Sequence, residues 1–176
     1  MADALLTARY TEQQQGGSWR RVGAAGILYG RHNFPSALGF SQLDSILYGR
    51  PGDQLGHPAM DRGADFDRDG QDDILVNDPY YVEPVGGEDQ YRGRLWLVRG
   101  RASMPRTLDV EGDADRYLLA DTRVPGMLGF TWNTGDWNGD GLPDIVVGDH
   151  YAGDHQLHDH AGRAYLFYGG SSLRLP

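Results

Sequence analysis

Apolar residues along this chain recur in short runs that are rich in β-branched and aromatic side chains. Examples are Ile74-Leu75-Val76, Leu95-Trp96-Leu97-Val98, Ile145-Val146-Val147 and Tyr165-Leu166-Phe167. Stretches with Gly, Asp and Asn separate the runs, and short runs bounded by such turn residues are typical of strands. The pattern therefore predicts an all-β protein.

Two of these runs follow closely similar acidic loops. Residues 65–76 and 136–147 share Asp or Asn at positions one, three, five and nine and Gly at position six. The two copies align without an insertion or a deletion, so every matched pair has the same offset. One such loop has the composition of a turn that binds nothing, but two copies in register, each leading into an apolar run, indicate a repeat unit.

The loops have the oxygen pattern of a calcium site. Ca²⁺ takes six to eight oxygen ligands at about 2.3–2.6 Å, and alternate positions of a tight loop converge on one point. An EF-hand is a poor match because position twelve is Val76 or Val147 instead of a bidentate Glu. Asn138 removes one carboxylate from the second loop, so we expect weaker binding there. The predicted ligands of the two Ca²⁺ sites are Asp65, Asp67, Asp69, Asp73 and the carbonyl of Gln71, and Asp136, Asn138, Asp140, Asp144 and the carbonyl of Leu142.

The sequence around the loops repeats as well. A Leu-Gly pair precedes each loop, at Leu55-Gly56 and Leu128-Gly129, and a strand opened by Gly-Arg follows it, at 93–98 and 162–168. A third copy of that strand lies at 26–31 without an acidic loop of its own. About four short antiparallel strands per unit is the anatomy of a propeller blade. The additional strands needed to reach that number are predicted at 45–48 and 116–120.

The second full copy resembles the FG-GAP repeat. Residues 136–148 read Asp-Trp-Asn-Gly-Asp-Gly-Leu-Pro-Asp-Ile-Val-Val-Gly, and residues 162–169 read Gly-Arg-Ala-Tyr-Leu-Phe-Tyr-Gly. That family forms the β-propeller heads of integrin α subunits and of many bacterial extracellular proteins. The resemblance implies Ca²⁺ bound between the first two strands of a blade and ligand contacts on the opposite face. The chain departs from the family pattern where Leu-Gly replaces Phe-Gly, and where Asn77-Asp78-Pro79 and Gly148-Asp149-His150 replace Gly-Ala-Pro.

The chain is predicted to hold about two and a half repeats. Residues 1–22 are predicted to be an N-terminal extension, either a short helix or a frayed segment. Residues 23–176 are predicted to form the propeller segment, with a partial blade at about 23–50 and calcium-loop blades at about 51–120 and 121–176. A closed propeller has at least four blades, and four units of this repeat length would exceed the 176 residues of the chain by more than half. We therefore expect an incomplete propeller, completed by self-association or by a larger subunit.

Composition narrows the class of protein further. The chain has 26 glycines, no cysteine and a formal net charge of −9. The lack of cysteine excludes disulfides and thiolate-bound zinc. An acidic chain without a basic cluster argues against a nucleic-acid partner. The first fifteen residues contain neither a signal-peptide core nor a membrane span.

Two further segments carry candidate ligand residues. Tyr80 and Tyr81 are predicted to contact a protein or glycan ligand or to pack between blades. The corresponding loop of the next unit is rich in imidazole, which binds Zn²⁺ or simply forms a solvated loop. No nucleophile, phosphate or dinucleotide motif is present, so no catalytic residue is predicted. The histidines of that loop are His150, His155, His158 and His160.

The sequence thus predicts a non-catalytic, calcium-binding β-propeller segment that acts as a protein-binding, adhesion or assembly module. Calcium has a structural role in this interpretation, and the expected location is extracellular, at the cell surface or in the periplasm. Two alternatives stay open. One is a structural subunit that docks into a multiprotein complex through open blade edges. The other is an accessory domain of an extracellular metal-dependent hydrolase that uses the His150–His160 loop.

Overall fold

The computed structural model describes residues 3–33, 35–57, 63–114, 116–119, 125–153 and 161–170. Strands dominate this part of the chain, which also contains the four-residue helix α1 (Val110–Asp113) and a 3-10 turn at Phe40–Gln42. The strands are β1 (Ala4–Thr7), β2 (Glu12–Gln15), β3 (Ser18–Arg21), β4 (Ala24–Leu28), β5 (Ser45–Tyr48), β6 (Ile74–Asp78), β7 (Val82–Val85), β8 (Glu88–Tyr91), β9 (Arg94–Val98), β10 (Thr107–Asp109), β11 (Arg116–Leu119), β12 (Thr131–Gly135), β13 (Asp144–Asp149) and β14 (Arg163–Phe167).

Three small sheets follow one another along the chain, one for each repeat unit. Their strand orders are β1-β4-β5-β10, β11-β9-β6 and β12-β13-β14, and β2–β3 and β7–β8 form separate two-stranded hairpins. The predicted strands at 45–48 and 116–120 are present as β5 and β11, as far as the described residues reach. The fold is therefore all-β with blade-type sheets, and over its described residues the chain forms part of a propeller without closing a ring.

The middle sheet is buried on both faces. Side chains alternate along a strand, so Trp96 and Val98 pack toward the first sheet while Leu95 and Leu97 pack toward the third. This two-sided burial explains why β9 is apolar without interruption after its first residue. The buried residues between the first two sheets are Ala25, Ile27, Leu47, Leu55, Val76, Trp96, Val98, Leu108 and Val110. Those between the second and third are Phe66, Leu75, Leu95, Leu97, Leu118, Leu128, Ile145 and Val147.

The first sheet begins close to the N-terminus. β1 pairs antiparallel with β4. β2 and β3 form a hairpin that is equivalent to β7–β8, since Glu12 lies opposite Arg21 in the first as Val82 lies opposite Tyr91 in the second. The predicted helix or frayed extension over residues 1–22 is therefore wrong. Leu5 packs against the core between the first two sheets, and this burial favours a strand over an isolated short helix, which is marginal in water.

Two segments outside the repeat pattern complete the first sheet. β10 runs parallel to β5, with Thr107 opposite Ile46, and so extends this sheet at its edge. On the outer face, Leu43 packs over Gly26, where a Cβ would overlap the Leu43 side chain. Trp96 occupies the place of Gly26 in the second unit. The glycine thus makes room for a part of the chain that covers this face.

Candidate metal centres

The first acidic loop leads into β6 and brings three carboxylates together. One oxygen from each of Asp65, Asp67 and Asp73 lies within 4.8 Å of the other two. Asp73 is 1% exposed, and its Oδ2 accepts a hydrogen bond from the Phe66 amide at 3.0 Å. Its Oδ1 accepts from the Gly100 amide at 2.8 Å, so the same side chain ties the loop to the end of β9.

Asp69, a further predicted ligand of this loop, lies outside the three-carboxylate cluster. Asp69 Oδ1 instead accepts a hydrogen bond from the Gln71 amide at 2.8 Å. Asp65 closes the turn by accepting from the amides of Asp69 at 3.0 Å and Gly70 at 2.9 Å. Asp67 forms an ion pair with Arg99 at 3.1 Å. The structure therefore gathers three of the predicted ligands, and Asp69 and Gln71 stay predictions.

The electrostatics of the cluster favour a cation. Burial raises the pKa of the Asp73 carboxyl above its ordinary value, and the Asp67 and Asp69 carboxylates add to this rise. Hydrogen bonds from the amides of Gly100 and Phe66 act on the pKa in the opposite direction. Three carboxylates so close together repel one another unless a cation or a proton neutralises them. Oxygen-only donors of this kind match a hard ion such as Ca²⁺.

The second acidic loop repeats this hydrogen-bonding pattern before β13. Asp144 Oδ2 accepts from the Trp137 amide at 2.8 Å and Oδ1 from the Gly169 amide at 2.9 Å. Asp136 accepts from the amides of Gly139 and Gly141, at 2.7 and 2.9 Å. Among the described residues, however, only the first loop brings three acidic side chains within ligand distance of one another. The second calcium site therefore stays a prediction.

Asn138 accounts for part of this difference. Its Nδ2 donates a hydrogen bond to Asp140 Oδ2 at 2.9 Å, and its Oδ1 accepts one from the Asp140 amide at 2.9 Å. Asp140 Oδ1 in turn accepts from the Leu142 amide at 2.8 Å. Both side chains are therefore satisfied within the turn, and Asn138 carries no charge where the first loop has the Asp67 carboxylate. The weaker affinity expected for the second loop stays a prediction.

The ninth-position aspartate has a role that the sequence analysis missed. In the first unit, Asp3 Oδ1 accepts from the Gly30 amide at 2.7 Å, as Asp73 does from Gly100 and Asp144 from Gly169. In all three units this carboxylate therefore joins the start of one strand to the end of its neighbour. The equal spacing from Asp3 to Asp73 and from Gly30 to Gly100 was the available signal.

The other predicted ligand residues fall into different environments. His150 is exposed and packs edge-on against Phe130, with ring centroids 4.4 Å apart. Tyr80 contacts the same Phe130 ring at 5.7 Å, and both belong to one aromatic group at the end of the sheets opposite the acidic loops. The Arg94 guanidinium instead lies over the ring of Tyr81, with its central carbon 3.6 Å from the ring centroid. The remaining histidines, His155, His158 and His160, lie outside the described residues.

A buried charged cluster near Tyr81 was not predicted from the sequence. Arg94 Nη2 lies 3.4 Å from Asp53 and 3.5 Å from Asp78, and all three side chains are buried. Burial, together with the Asp53 carboxylate, raises the pKa of Asp78 to about 7 although Arg94 acts to lower it. The recurrence of Asp at the ends of β6 and β13, as Asp78 and Asp149, was a readable signal of a structural role.

Comparison with known proteins supports a relation to two kinds of protein. The chain is 33% identical over 113 residues to phosphatidylinositol-glycan-specific phospholipase D of Rattus norvegicus, which covers 64% of this chain and 13% of that protein. The human protein of that name is 32% identical over 108 residues. Integrin alpha-PS2 of Drosophila melanogaster is 34% identical over 109 residues, 60% of this chain and 7% of the integrin. No protein-family model matches the chain.

The chain is thus a distant relative of a segment of these proteins, and the match spans about an eighth or less of their length. The similarity to an integrin α chain agrees with the resemblance to the FG-GAP repeat. In the part of the chain that the structure describes, no helix is both long and apolar enough to cross a membrane.

Proposed function

We propose that this chain is a non-catalytic, calcium-binding segment of an FG-GAP-type β-propeller and that it serves as a binding or assembly module. The observation that carries the proposal is the convergence of Asp65, Asp67 and Asp73 at the start of β6. The stacked blade-type sheets and the similarity to a segment of an integrin α chain support it.

Calcium has a structural role in this proposal. When bound, the ion supplies positive charge at the three carboxylates of the first loop. Asp73 would hold it with one buried carboxylate that is also bonded to the Gly100 amide. Order in the loop would therefore extend to the end of β9. The second loop would hold an ion through Asp136, Asn138, Asp140, Asp144 and the carbonyl of Leu142.

The proposed location is outside the cytoplasm, at the cell surface, in the periplasm or in the extracellular space, where calcium is plentiful. The proposed ligand is a protein or glycan that contacts the aromatic group around Phe130. Tyr80, His57 and His150 surround that ring with centroids between 4.4 and 5.7 Å away. Aromatic side chains of this kind supply contact area at low entropic cost.

A second candidate function is an accessory segment of a larger hydrolase. It is favoured by the similarity to proteins named as phospholipases D, of which this chain matches 13%. Under this candidate function, the segment would bind a catalytic domain of the larger protein and so position or regulate it. Zinc at the His150–His160 loop stays a prediction.

Calcium titration of the chelator-treated chain by isothermal calorimetry tests the proposal. We expect saturable binding that Asp65→Asn weakens by about tenfold or more. Asp72→Asn is the matched control, because Asp72 is an exposed acid in the same loop and lies outside the three-carboxylate cluster. Equal loss of binding in both variants would indicate nonspecific attraction to an acidic surface and would refute the site.

A further inference from the structure

A tyrosine occupies the same place in all three units. Tyr10, Tyr80 and Tyr151 each stand third in a four-residue turn. In each turn the amide of the fourth residue donates to the carbonyl of the first, at 3.0, 3.2 and 3.4 Å. The turns follow β1, β6 and β13 and therefore lie at the end of the sheets opposite the acidic loops. The three residues form one row across the stacked sheets, which we call the tyrosine ladder.

Aromatic rings join the second and third tyrosines of the ladder. The Phe130 ring lies 5.7 Å from that of Tyr80 and 4.4 Å from that of His150. The His150 ring in turn lies 4.7 Å from that of Tyr151. His150 is exposed and Tyr151 is 39% exposed. This half of the ladder is therefore a continuous row of rings that a ligand can reach.

An arginine joins the first and second tyrosines. The guanidinium carbon of Arg9 lies 4.3 Å from the ring centroid of Tyr10 and 6.0 Å from that of Tyr80. Arg21 contacts the Tyr10 ring as well, at 5.4 Å. Tyr10 itself is 57% exposed. A guanidinium that stacks on a ring by its face keeps its N–H edge for a carboxylate or another oxyanion.

The charge at this end of the ladder has little compensation. Arg9 forms no hydrogen bond or ion pair in the part of the chain that the structure describes, and its Nε is shielded from solvent. Arg21 has Glu12 at 3.9 Å, and both of these side chains are largely exposed. Burial and the nearby Arg9 charge lower the pKa of His57, so this imidazole is neutral at neutral pH. The two arginines thus provide local positive charge on a chain of net charge −9.

We propose that the tyrosine ladder binds a linear acidic glycan, with sugar rings on the tyrosines and a carboxylate on Arg9. This inference rests on the binding role proposed above and identifies the ligand by its chemistry. A ladder that repeats from unit to unit suits a polymer that itself repeats. Stacked sheets lie about 10 Å apart, a distance that a disaccharide of a linear polysaccharide covers. Tyrosine offers such a ligand a flat apolar face and a polar hydroxyl at its edge.

An acidic peptide is less suited to this surface. Extended peptides bind by adding a strand to a sheet edge, with alternate side chains in pockets. The ladder residues lie in turns instead, where no strand edge is presented. The net negative charge of the chain also repels polyanions in general, so an acidic ligand must depend on the local arginines. The row of stacking rings with a positive end therefore favours a glycan.

The test titrates the whole chain, with calcium present, into a dye-labelled hyaluronan octasaccharide, which has a carboxylate on every second sugar. Fluorescence anisotropy should show saturable binding. Arg9→Gln should weaken binding about tenfold or more, and Tyr151→Ala should weaken it as well because the ligand spans all three units. Arg101→Gln is the matched control, since Arg101 is exposed and follows β9 at the acidic-loop end of the sheets. A neutral chitin octasaccharide removes the carboxylates without any change in the protein, and it should also bind about tenfold more weakly.

Binding that Arg9→Gln leaves unchanged, equal affinity for the neutral octasaccharide, or no saturable binding at millimolar glycan overturns the proposal. An amidated tetraglutamate peptide that binds more tightly, with the same dependence on Arg9, overturns it as well, because an acidic protein is then the ligand. That last result would leave the binding role intact. Calcium titration of the same chain by calorimetry measures the calcium-binding function separately, because the ladder and the acidic loops lie at opposite ends of the sheets.

Discussion

Arg68 in the first acidic loop donates from Nη2 to the backbone carbonyl of Asp140 in the second, at a distance of 2.9 Å. The two loops therefore lie next to each other, although Arg68 and Asp140 are 72 positions apart in the sequence. Arg68 also has a φ of 65°, a left-handed conformation that disfavours residues with a side chain. The residue that makes the contact between the loops is therefore in a strained backbone conformation.

Replacement of Arg68 separates these two effects. Arg68→Ala removes the contact and keeps the strain, whereas Arg68→Gly removes both. We expect the Gly variant to be more stable than the Ala variant by about 1 kcal/mol, the usual cost of a left-handed residue with a Cβ. Urea unfolding in calcium measures this difference. An Ala variant as stable as the Gly variant would show that the backbone at this position is not left-handed in solution.

Calcium removal should destabilise the chain. At a free calcium concentration about a hundredfold above the dissociation constant, binding adds about 2.7 kcal/mol to the free energy of unfolding. For a chain of this size, that corresponds to a fall in Tm of about 5–10 °C when a chelator is added. Thermal melts followed by circular dichroism measure the effect.

The two acidic loops should contribute unequally to that response. Asp65→Ala should remove most of it, because Asp65 belongs to the three-carboxylate cluster. Asp140→Ala should remove less, since Asn138 and Asp140 satisfy each other in the second loop. An unchanged calcium response in both variants would rule out the loops as calcium sites.

The buried Asp78 predicts a pH dependence of stability. Its pKa is about 7 in the folded chain, against an ordinary value of 3.8. Between these values the folded state holds a proton that the unfolded state has lost, so the contribution of Asp78 to stability falls as pH rises from about 4 to about 7. Asp78→Asn should remove this contribution. The unfolding free energy of the variant minus that of the wild type should therefore increase as the pH is raised from about 5 to about 8.

Asp113→Asn is a suitable control for this measurement, because Asp113 is exposed. Its pH dependence should match that of the wild type. If Asp78→Asn has the wild-type slope as well, Arg94 neutralises Asp78 throughout this range, and the carboxyl does not take up a proton on folding.

Local features of this chain were readable from sequence, and contacts between distant segments were not. The acidic loops and the apolar strands after them have fixed spacing, so Asp65 to Val76 could be assigned directly. β2 has no apolar residue, because its hairpin lies outside the core, and a prediction based on apolar runs missed it. Asp53, Asp78 and Arg94 were given no joint role from the sequence, because Asp78 and Arg94 meet only through the pairing of β6 with β9 and Asp53 comes from the segment after the first sheet. The covering of Gly26 by Leu43 likewise depends on a chain segment without a repeat counterpart.

The equivalent leucines of the second and third sheets provide a direct test of the stacking. Leu97→Ala should destabilise the chain by about 2–5 kcal/mol, because it leaves a cavity in the core between these sheets. Leu166→Ala, at the matching position of β14, should cost less than about 1 kcal/mol, because Leu166 is 43% exposed. Urea unfolding of the two variants measures both values. Equal costs would mean that the face of the third sheet is buried in solution. The occupant would then be a second copy if the cost at Leu166 falls on dilution, since a self-associated interface weakens as concentration decreases.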